Sequence, residues 1–268
     1  MDKFDKICYD IKTLKIQGAE NIAKAGVEAL KLKPTQYQLN KLLNLRPTEP
    51  TLRNAINYAK LFGIKNAMSH LKKAPLIVAT NGNKLIKDNY VIYTHCHSST
   101  VMGVFSEAKK TKNFIVNNTE TRPLFQGRLT ALDLARLDIK NNYFIDSAMR
   151  LAIKHATIAM LGCDSITASG KIINKIGSEL AAEVCYTSGV PLYIITDSWK
   201  YDPLSTVYKP TPIEERSPKE IWNNAPKTTK IHNFAFEQIN PRLVTAIVSE
   251  FGIHKPKKFI KLAKKALS

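Results

Sequence analysis

From Asp88 onward the chain alternates short apolar segments, rich in β-branched and aromatic residues, with stretches of helical apolar spacing, and this alternation constrains the fold more than any other feature. The segments lie at residues 90–94, 114–116, 143–145, 157–161 and 192–196. Alternation of this kind predicts a parallel sheet covered by helices. In such sheets ligands bind where strand C-terminal ends meet helix N-termini, so the residues just after each strand carry the functional argument. Cys96 follows the first strand, Gly162-Cys163-Asp164 the fourth, and Asp197 and then Lys200 the fifth. Ser169-Gly170 reads as a turn, and Asn174-Lys175-Ile176-Gly177-Ser178 as a second helix start.

The first third reads differently. Apolar spacing without β-branched runs predicts helices over 22–32, 37–43 and 52–61, punctuated by Pro34, the Arg46-Pro47-Thr48 turn and Gly63. The polar run Thr80-Asn81-Gly82-Asn83-Lys84 breaks the pattern before the first strand, which places a domain boundary near it. The expected fold class is α/β: a small N-terminal helical domain (1–80) followed by a Rossmann-like parallel sheet domain (81–268).

Composition narrows the setting. No apolar run is long enough to cross a bilayer, and Met1-Asp2-Lys3-Phe4-Asp5 lacks the layout of a secretion signal, so no export is expected. Cys8, Cys96, Cys163 and Cys185 are widely spaced without a CxxC pair, which argues against zinc or a disulfide framework and fits a reducing cytoplasm. The formal charge of +18 points to acidic partners: phosphorylated metabolites, nucleic acid or a membrane face. Because the lysines are scattered, the last two are disfavoured. Only the tail concentrates them, where Phe259, Ile260, Leu262, Ala263, Ala266 and Leu267 recur at helical spacing, and a basic helix docked on the body is expected there.

The stretch Thr94-His95-Cys96-His97-Ser98-Ser99-Thr100 puts a thiol where a strand ends and a helix begins, with Ser98 or Ser99 as N-cap. Free N–H groups there favour a phosphate and are expected to lower the thiol pKa. A buried, inert cysteine is the alternative. With a carboxyl group of raised pKa at Asp164 donating a proton and a Cys96 thiolate removing one, the pair suits aldose–ketose isomerisation. His95 and His97 flank the thiol, but in extended geometry each points to the face opposite Cys96, which disfavours a cysteine–histidine hydrolase.

Several ordered motifs carry a resemblance. Residues Thr94 to Thr100, Thr119-Glu120-Thr121-Arg122-Pro123 with Gln126-Gly127, Asp146-Ser147-Ala148, Gly162-Cys163-Asp164-Ser165-Ile166 and Asn174-Lys175-Ile176-Gly177 resemble the sugar-phosphate isomerase and initiation-factor superfamily. The likeness continues through Glu214-Glu215-Arg216, Asn233-Phe234-Ala235-Phe236 and Thr245 to Gly252, and is weaker at Gly18-Ala19 and Arg46-Pro47-Thr48. The superfamily holds ribose-1,5-bisphosphate isomerases, methylthioribose-1-phosphate isomerases and regulatory subunits of the guanine-nucleotide-exchange factor of translation initiation.

The resemblance implies catalytic roles for Cys96, acting on the C2 proton, and Asp164, the proton donor and ring-opening acid. It implies substrate contacts from Gly18, Ala19, Arg46, Gln126, Asn174 and Lys175, and phosphate contacts from Ser98, Ser99 and Thr100. Where relatives carry an arginine before Gly-Ala, this chain has Gln17, which is expected to bind substrate through one hydrogen bond in place of the missing guanidinium. Retention of both the cysteine and the aspartate favours an enzyme over a non-catalytic exchange subunit. Lys200 resembles a lysine of the bisphosphate enzymes, favouring them over methylthioribose-phosphate isomerases. The implied activity converts ribose 1,5-bisphosphate to ribulose 1,5-bisphosphate in nucleoside monophosphate salvage, without metal or organic cofactor, in a homo-oligomer, dimer or hexamer.

Overall fold

The structure, a computed structural model, describes every residue except Leu14, Gln17, Pro47, Thr48 and Ser268. Amphipathic spacing builds the front end as α1 (Lys3–Lys12), α2 (Ala19–Ala29), α3 (Gln36–Leu43), α4 (Pro50–Phe62) and α5 (Ile64–Asn83). Local signals set several of their starts. Asp2 accepts from the Asp5 N–H, Thr35 and Gln38 form a capping box, and Pro50 takes a first-turn position where its missing N–H is not needed. Phe4, Ile11, Ile22, Leu42, Leu52 and Ile56 close into one small core.

The rest of the chain runs β1 (Val91–Thr94), α6 (Ser99–Lys109), β2 (Ile115–Thr119), α7 (Gln126–Arg136), β3 (Lys140–Phe144), α8 (Met149–Lys154) and β4 (Ile158–Leu161). It continues through β5 (Ser165–Thr167), β6 (Ile172–Lys175), α9 (Ser178–Thr187), β7 (Leu192–Ile195), β8 (Tyr201–Asp202), β9 (Phe236–Ile239), β10 (Ala246–Ser249), β11 (Gly252–His254) and α10 (Pro256–Leu267). Seven strands form the main sheet in the order β3-β2-β1-β4-β7-β10-β11, parallel throughout except that β11 runs antiparallel to β10. All five predicted strands belong to it.

Period-two alternation fills both faces. Ile92, Ile195 and Val248 pack against α5 and α6, while their neighbours Tyr93, Ile194 and Ile247 pack against α8, α9 and α10. The basic tail is the docked helix expected: Phe259 and Ala263 are fully buried, and Lys257, Lys258, Lys261, Lys264 and Lys265 face outward.

Two local readings need correction. The polar run at 80–84 does not interrupt the chain, because α5 is helical to Asn83. Its polar residues are used structurally: Asn81 Nδ2 donates to the Ser249 carbonyl at 3.0 Å, and a Cβ on Gly82 would stand 2.5 Å from Val104 Cγ2, so α5 and α6 approach closely. The helix start predicted at 174–178 is present, since α9 begins at Ser178, but Asn174 and Lys175 end strand β6 ahead of it. Strand β6 belongs to a second sheet, ordered β8-β5-β6-β9, whose β5–β6 hairpin turns at the predicted Ser169-Gly170. Pairing of β6 with the distant β9 overrides its local pattern.

Candidate active site

In the main sheet β1 and β4 are neighbours whose onward connections lead in opposite directions, so the crevice at their C-terminal ends is the natural ligand site. Cys96 leaves β1 and Asp164 leaves β4 into this crevice. Cys96 sits in the left-handed region (φ 67°), rare for a residue with a side chain, and hydrogen bonds hold it there. Its N–H donates to Thr121 Oγ1 at 2.9 Å, and Thr130 Oγ1 donates to its carbonyl at 2.8 Å. Thr121 is fixed in turn by Asp146, whose Oδ1 accepts the Thr121 N–H at 2.8 Å and whose Oδ2 accepts the Arg122 N–H at 2.7 Å.

Ser98 is the N-cap of α6 and accepts the Val101 N–H, as its position predicts. Gly162 lets the exit of β4 pass against it: a Cβ there would lie 2.5 Å from Ser98 Oγ. His95 is buried, with Nδ1 2.6 Å from Thr119 Oγ1 and Nε2 2.8 Å from the Ile176 carbonyl. A carbonyl only accepts, so Nε2 carries the proton, and burial holds the ring neutral. Gly177, at φ 97°, allows this approach; a Cβ there would crowd His95 Nε2 to 2.8 Å. His97 Nδ1 meets Thr130 Oγ1 at 3.1 Å and its Nε2 faces Asp133. Neither imidazole is available to Cys96 as a base, as expected, but the reason is these partners and not extended geometry, which Cys96 does not adopt.

A cavity of about 200 Å³ separates this sheet edge from the helical front end. Cys96 and Asp164 line it together with Gly18, Ala19, Arg46, Ser98, Ser99, Gln126, Asn174, Lys175 and Lys200, all singled out from sequence. Thr100 lines instead a smaller adjoining cavity of about 60 Å³, which shares Ala19, Ser99 and Lys200. Gln17 lies outside the described residues. The sequence reading gave no role to Glu49, Arg216 or Phe236, which also line the main cavity. Arg216 and Phe236 lay within quoted motifs, whereas Glu49 had only its spacing, three residues after Arg46, as a signal.

Several of these side chains are held by neighbours. Lys200 Nζ donates to the Cys163 carbonyl at 2.6 Å, so it is not a solvated surface lysine. Its segment is fixed by the helical front end: Asn54 Nδ2 donates to the Trp199 and Tyr201 carbonyls at 2.7 and 2.8 Å, and Trp199 is buried among α2, α4 and α5. Lys175 Nζ lies 4.7 Å over the Phe236 ring, Asn174 Nδ2 donates to Ser178 Oγ at 2.8 Å, and Arg216 is paired with Glu220 and Glu214. Gln126 Oε1 is buried without a partner among the described residues.

The electrostatics contradict one expectation. Cys96 lines the cavity, and burial pushes its thiol up to about 11 rather than down; Lys175 opposes this and Asp164 adds to it. The low-dielectric surroundings outweigh the helix terminus. Burial also raises the Asp164 carboxyl, against Lys200, Lys175 and Arg46. Burial works against the charge of Lys200, but Cys163, Asp197, Asp164 and Glu49 outweigh it and raise its pKa. The arrangement therefore joins two proton carriers, both shifted toward their protonated forms, with cations suited to phosphate. Among the described residues no group of three or more His, Cys, Asp or Glu is placed to hold a metal, and no helix is long and apolar enough to cross a membrane.

The Initiation factor 2 subunit family matches residues 15–256. The ribose 1,5-bisphosphate isomerase of Pyrococcus furiosus is 32% identical, over 94% of this chain and 90% of its own, and that of Methanocaldococcus jannaschii is 33% identical, over 96% and 92%. Among solved structures, Pyrococcus horikoshii OT3 translation initiation factor eIF-2B superposes with a TM-score of 0.87 at 26% identity, over 97% of this chain and 99% of that one.

Proposed function

Since the chain belongs to the Initiation factor 2 subunit family, we propose that it is an aldose–ketose isomerase converting ribose 1,5-bisphosphate to ribulose 1,5-bisphosphate in nucleoside monophosphate salvage. The observation that carries this reading is the meeting of Cys96 and Asp164 at one cavity that also holds Lys175 and Lys200. Asp164 protonates the ring oxygen as its bond to C1 breaks, and the Cys96 thiolate takes the C2 proton, leaving a C1–C2 enol. Cys96 then returns its proton to C1, and the Asp164 carboxylate takes the proton of the C2 hydroxyl as the ketone forms. Both groups regain their starting states, so the cycle needs one proton held between them.

In this reading residues 1–80 are a helical domain that lends Arg46 and the Gly18-Ala19 backbone to a catalytic domain at 81–268. Ser98 and Ser99, at the N-terminus of α6, hold a phosphate. Lys200 supports a second phosphate over an apolar substituent, because an unpaired phosphate is costly to bury. Exposed Leu129, Leu132, Tyr143, Ile145 and Leu151, on and beside edge strand β3, support a homo-oligomer. The four free thiols are compatible with the cytoplasm.

Incubating the purified protein with ribose 1,5-bisphosphate and following ketose formation tests the reading. Formation of ribulose 1,5-bisphosphate is expected; no turnover, or turnover of methylthioribose 1-phosphate instead, overturns it.

A further inference from the structure

The helical wall of the cavity carries a carboxylate that the proton transfers leave unused. Glu49 is 6% exposed, and Arg46 occupies only its Oε1, through Nε at 3.1 Å and Nη2 at 2.5 Å. The second oxygen, Oε2, is buried and has no hydrogen-bond partner among the described residues. The side chain lines the same cavity as Cys96 and Asp164. A buried carboxylate oxygen lacking a donor is unfavourable, and burial does raise the Glu49 pKa, with Arg46 opposing and Asp164 reinforcing the shift.

A ligand that supplies the missing donor relieves that cost. A hydroxyl group fits, since it donates to a carboxylate and accepts from a carboxylic acid. A phosphate oxygen does not fit, because it brings further negative charge and no proton. Arg46, with two N–H groups committed to Oε1, is largely neutralised as an anion site. Lys175 and Lys200 face a ring and a carbonyl, and neither has an ion pair among the described residues.

We infer that Glu49 is a specificity-determining residue whose Oε2 pairs with a hydroxyl of the sugar, held in place by Arg46, so that the helical wall reads hydroxyls rather than phosphate. This rests on the sugar-phosphate reading of the cavity and extends it to a residue without an assigned role. Arg46 then acts through Glu49 instead of gripping a phosphate directly.

Calorimetric binding of two probes, ribose 5-phosphate and inorganic phosphate, to wild type, Glu49→Ala and Glu49→Gln tests the inference. Glu49→Ala is expected to weaken ribose 5-phosphate about 10- to 100-fold while leaving inorganic phosphate unchanged or tighter. Glu49→Gln, which keeps an acceptor of the same shape, is expected to lose about 3- to 10-fold for the sugar phosphate, and it decides the matter alone where the alanine variant fails to fold. Equal ribose 5-phosphate affinity in all chains overturns the inference, as does wild type that does not bind ribose 5-phosphate. Tightening of both probes together also overturns it, since Glu49 then merely neutralises Arg46. A wild type that isomerises ribose 1,5-bisphosphate with unchanged Glu49 variants sinks this inference alone. A wild type that shows the Glu49 dependence yet isomerises nothing sinks only the isomerase reading.

Discussion

The two walls of the cavity are built on different principles. On the sheet wall, Cys96 and Asp164 sit where strands β1 and β4 end, and the backbone of Cys96 is pinned by Thr121 and Thr130. On the helical wall, Arg46 and Glu49 hold each other, and the wall reaches the sheet domain through Asn54 and the buried Trp199. In the proposed reading the reacting groups therefore occupy positions set by the sheet itself, while the recognition groups are lent by an element docked against it. Chemistry and selectivity should respond separately to mutation.

The sheet wall is expected to give the largest loss. Cys96→Ser and Asp164→Asn should each lower kcat by about 10²- to 10⁴-fold, the usual weight of one acid–base group. Melting temperatures should stay within about 3 °C of wild type, equivalent to roughly 1 kcal/mol in a chain of this size. Steady-state kinetics with calorimetry decides this; activity retained in both variants would remove the pair from the reaction. The pair also fixes the pH response. With one proton needed between the two groups, kcat/KM should fall on the acid side as Asp164 takes a second proton, above the ordinary aspartate range. It should fall on the alkaline side as the thiol loses its proton near pH 11. In Asp164→Asn the residual rate should instead rise with pH toward thiol ionisation near pH 11; an acid limb left where wild type has it would break the assignment.

Joining the walls should matter next. Trp199→Ala removes a large buried side chain and should cost about 3–5 kcal/mol of stability. It should also raise KM, because Lys200 adjoins it; unchanged KM in a folded variant would uncouple the seam from the cavity. Lys200→Met should raise KM for the phosphorylated substrate about 10- to 100-fold, the weight of a charge-assisted hydrogen bond, with a smaller effect on kcat. Ser98→Ala should be mildest in stability, about 1 kcal/mol for the lost cap, read as a shift of a few degrees on melting.

The contrast between the walls also explains what the sequence made legible. Four of the five predicted main-sheet strands were readable because each buries apolar residues of its own, whereas edge strand β3 buries none and showed only through Tyr143 and Phe144; the residues after the strands followed from parallel-sheet geometry alone. The second sheet was not. Ile172–Lys175 offers only two apolar residues before the polar Asn174 and Lys175, and its partner β9 lies far along the chain. The thiol shift was misjudged for a related reason: burial of Cys96 is a property of the assembled cavity, not of the residues beside it. Glu49 escaped notice because an acid three residues from an arginine reads as an ordinary surface pair until both are found largely buried.

The backbone at Cys96 has a further consequence. At φ 67° a β-carbon costs on the order of 1 kcal/mol that glycine would avoid. Selection for stability alone would thus favour discarding the side chain there, and under the proposed mechanism selection for turnover opposes it. Position 96 is where a lineage released from catalysis would be expected to drift first, losing its thiol while keeping its fold.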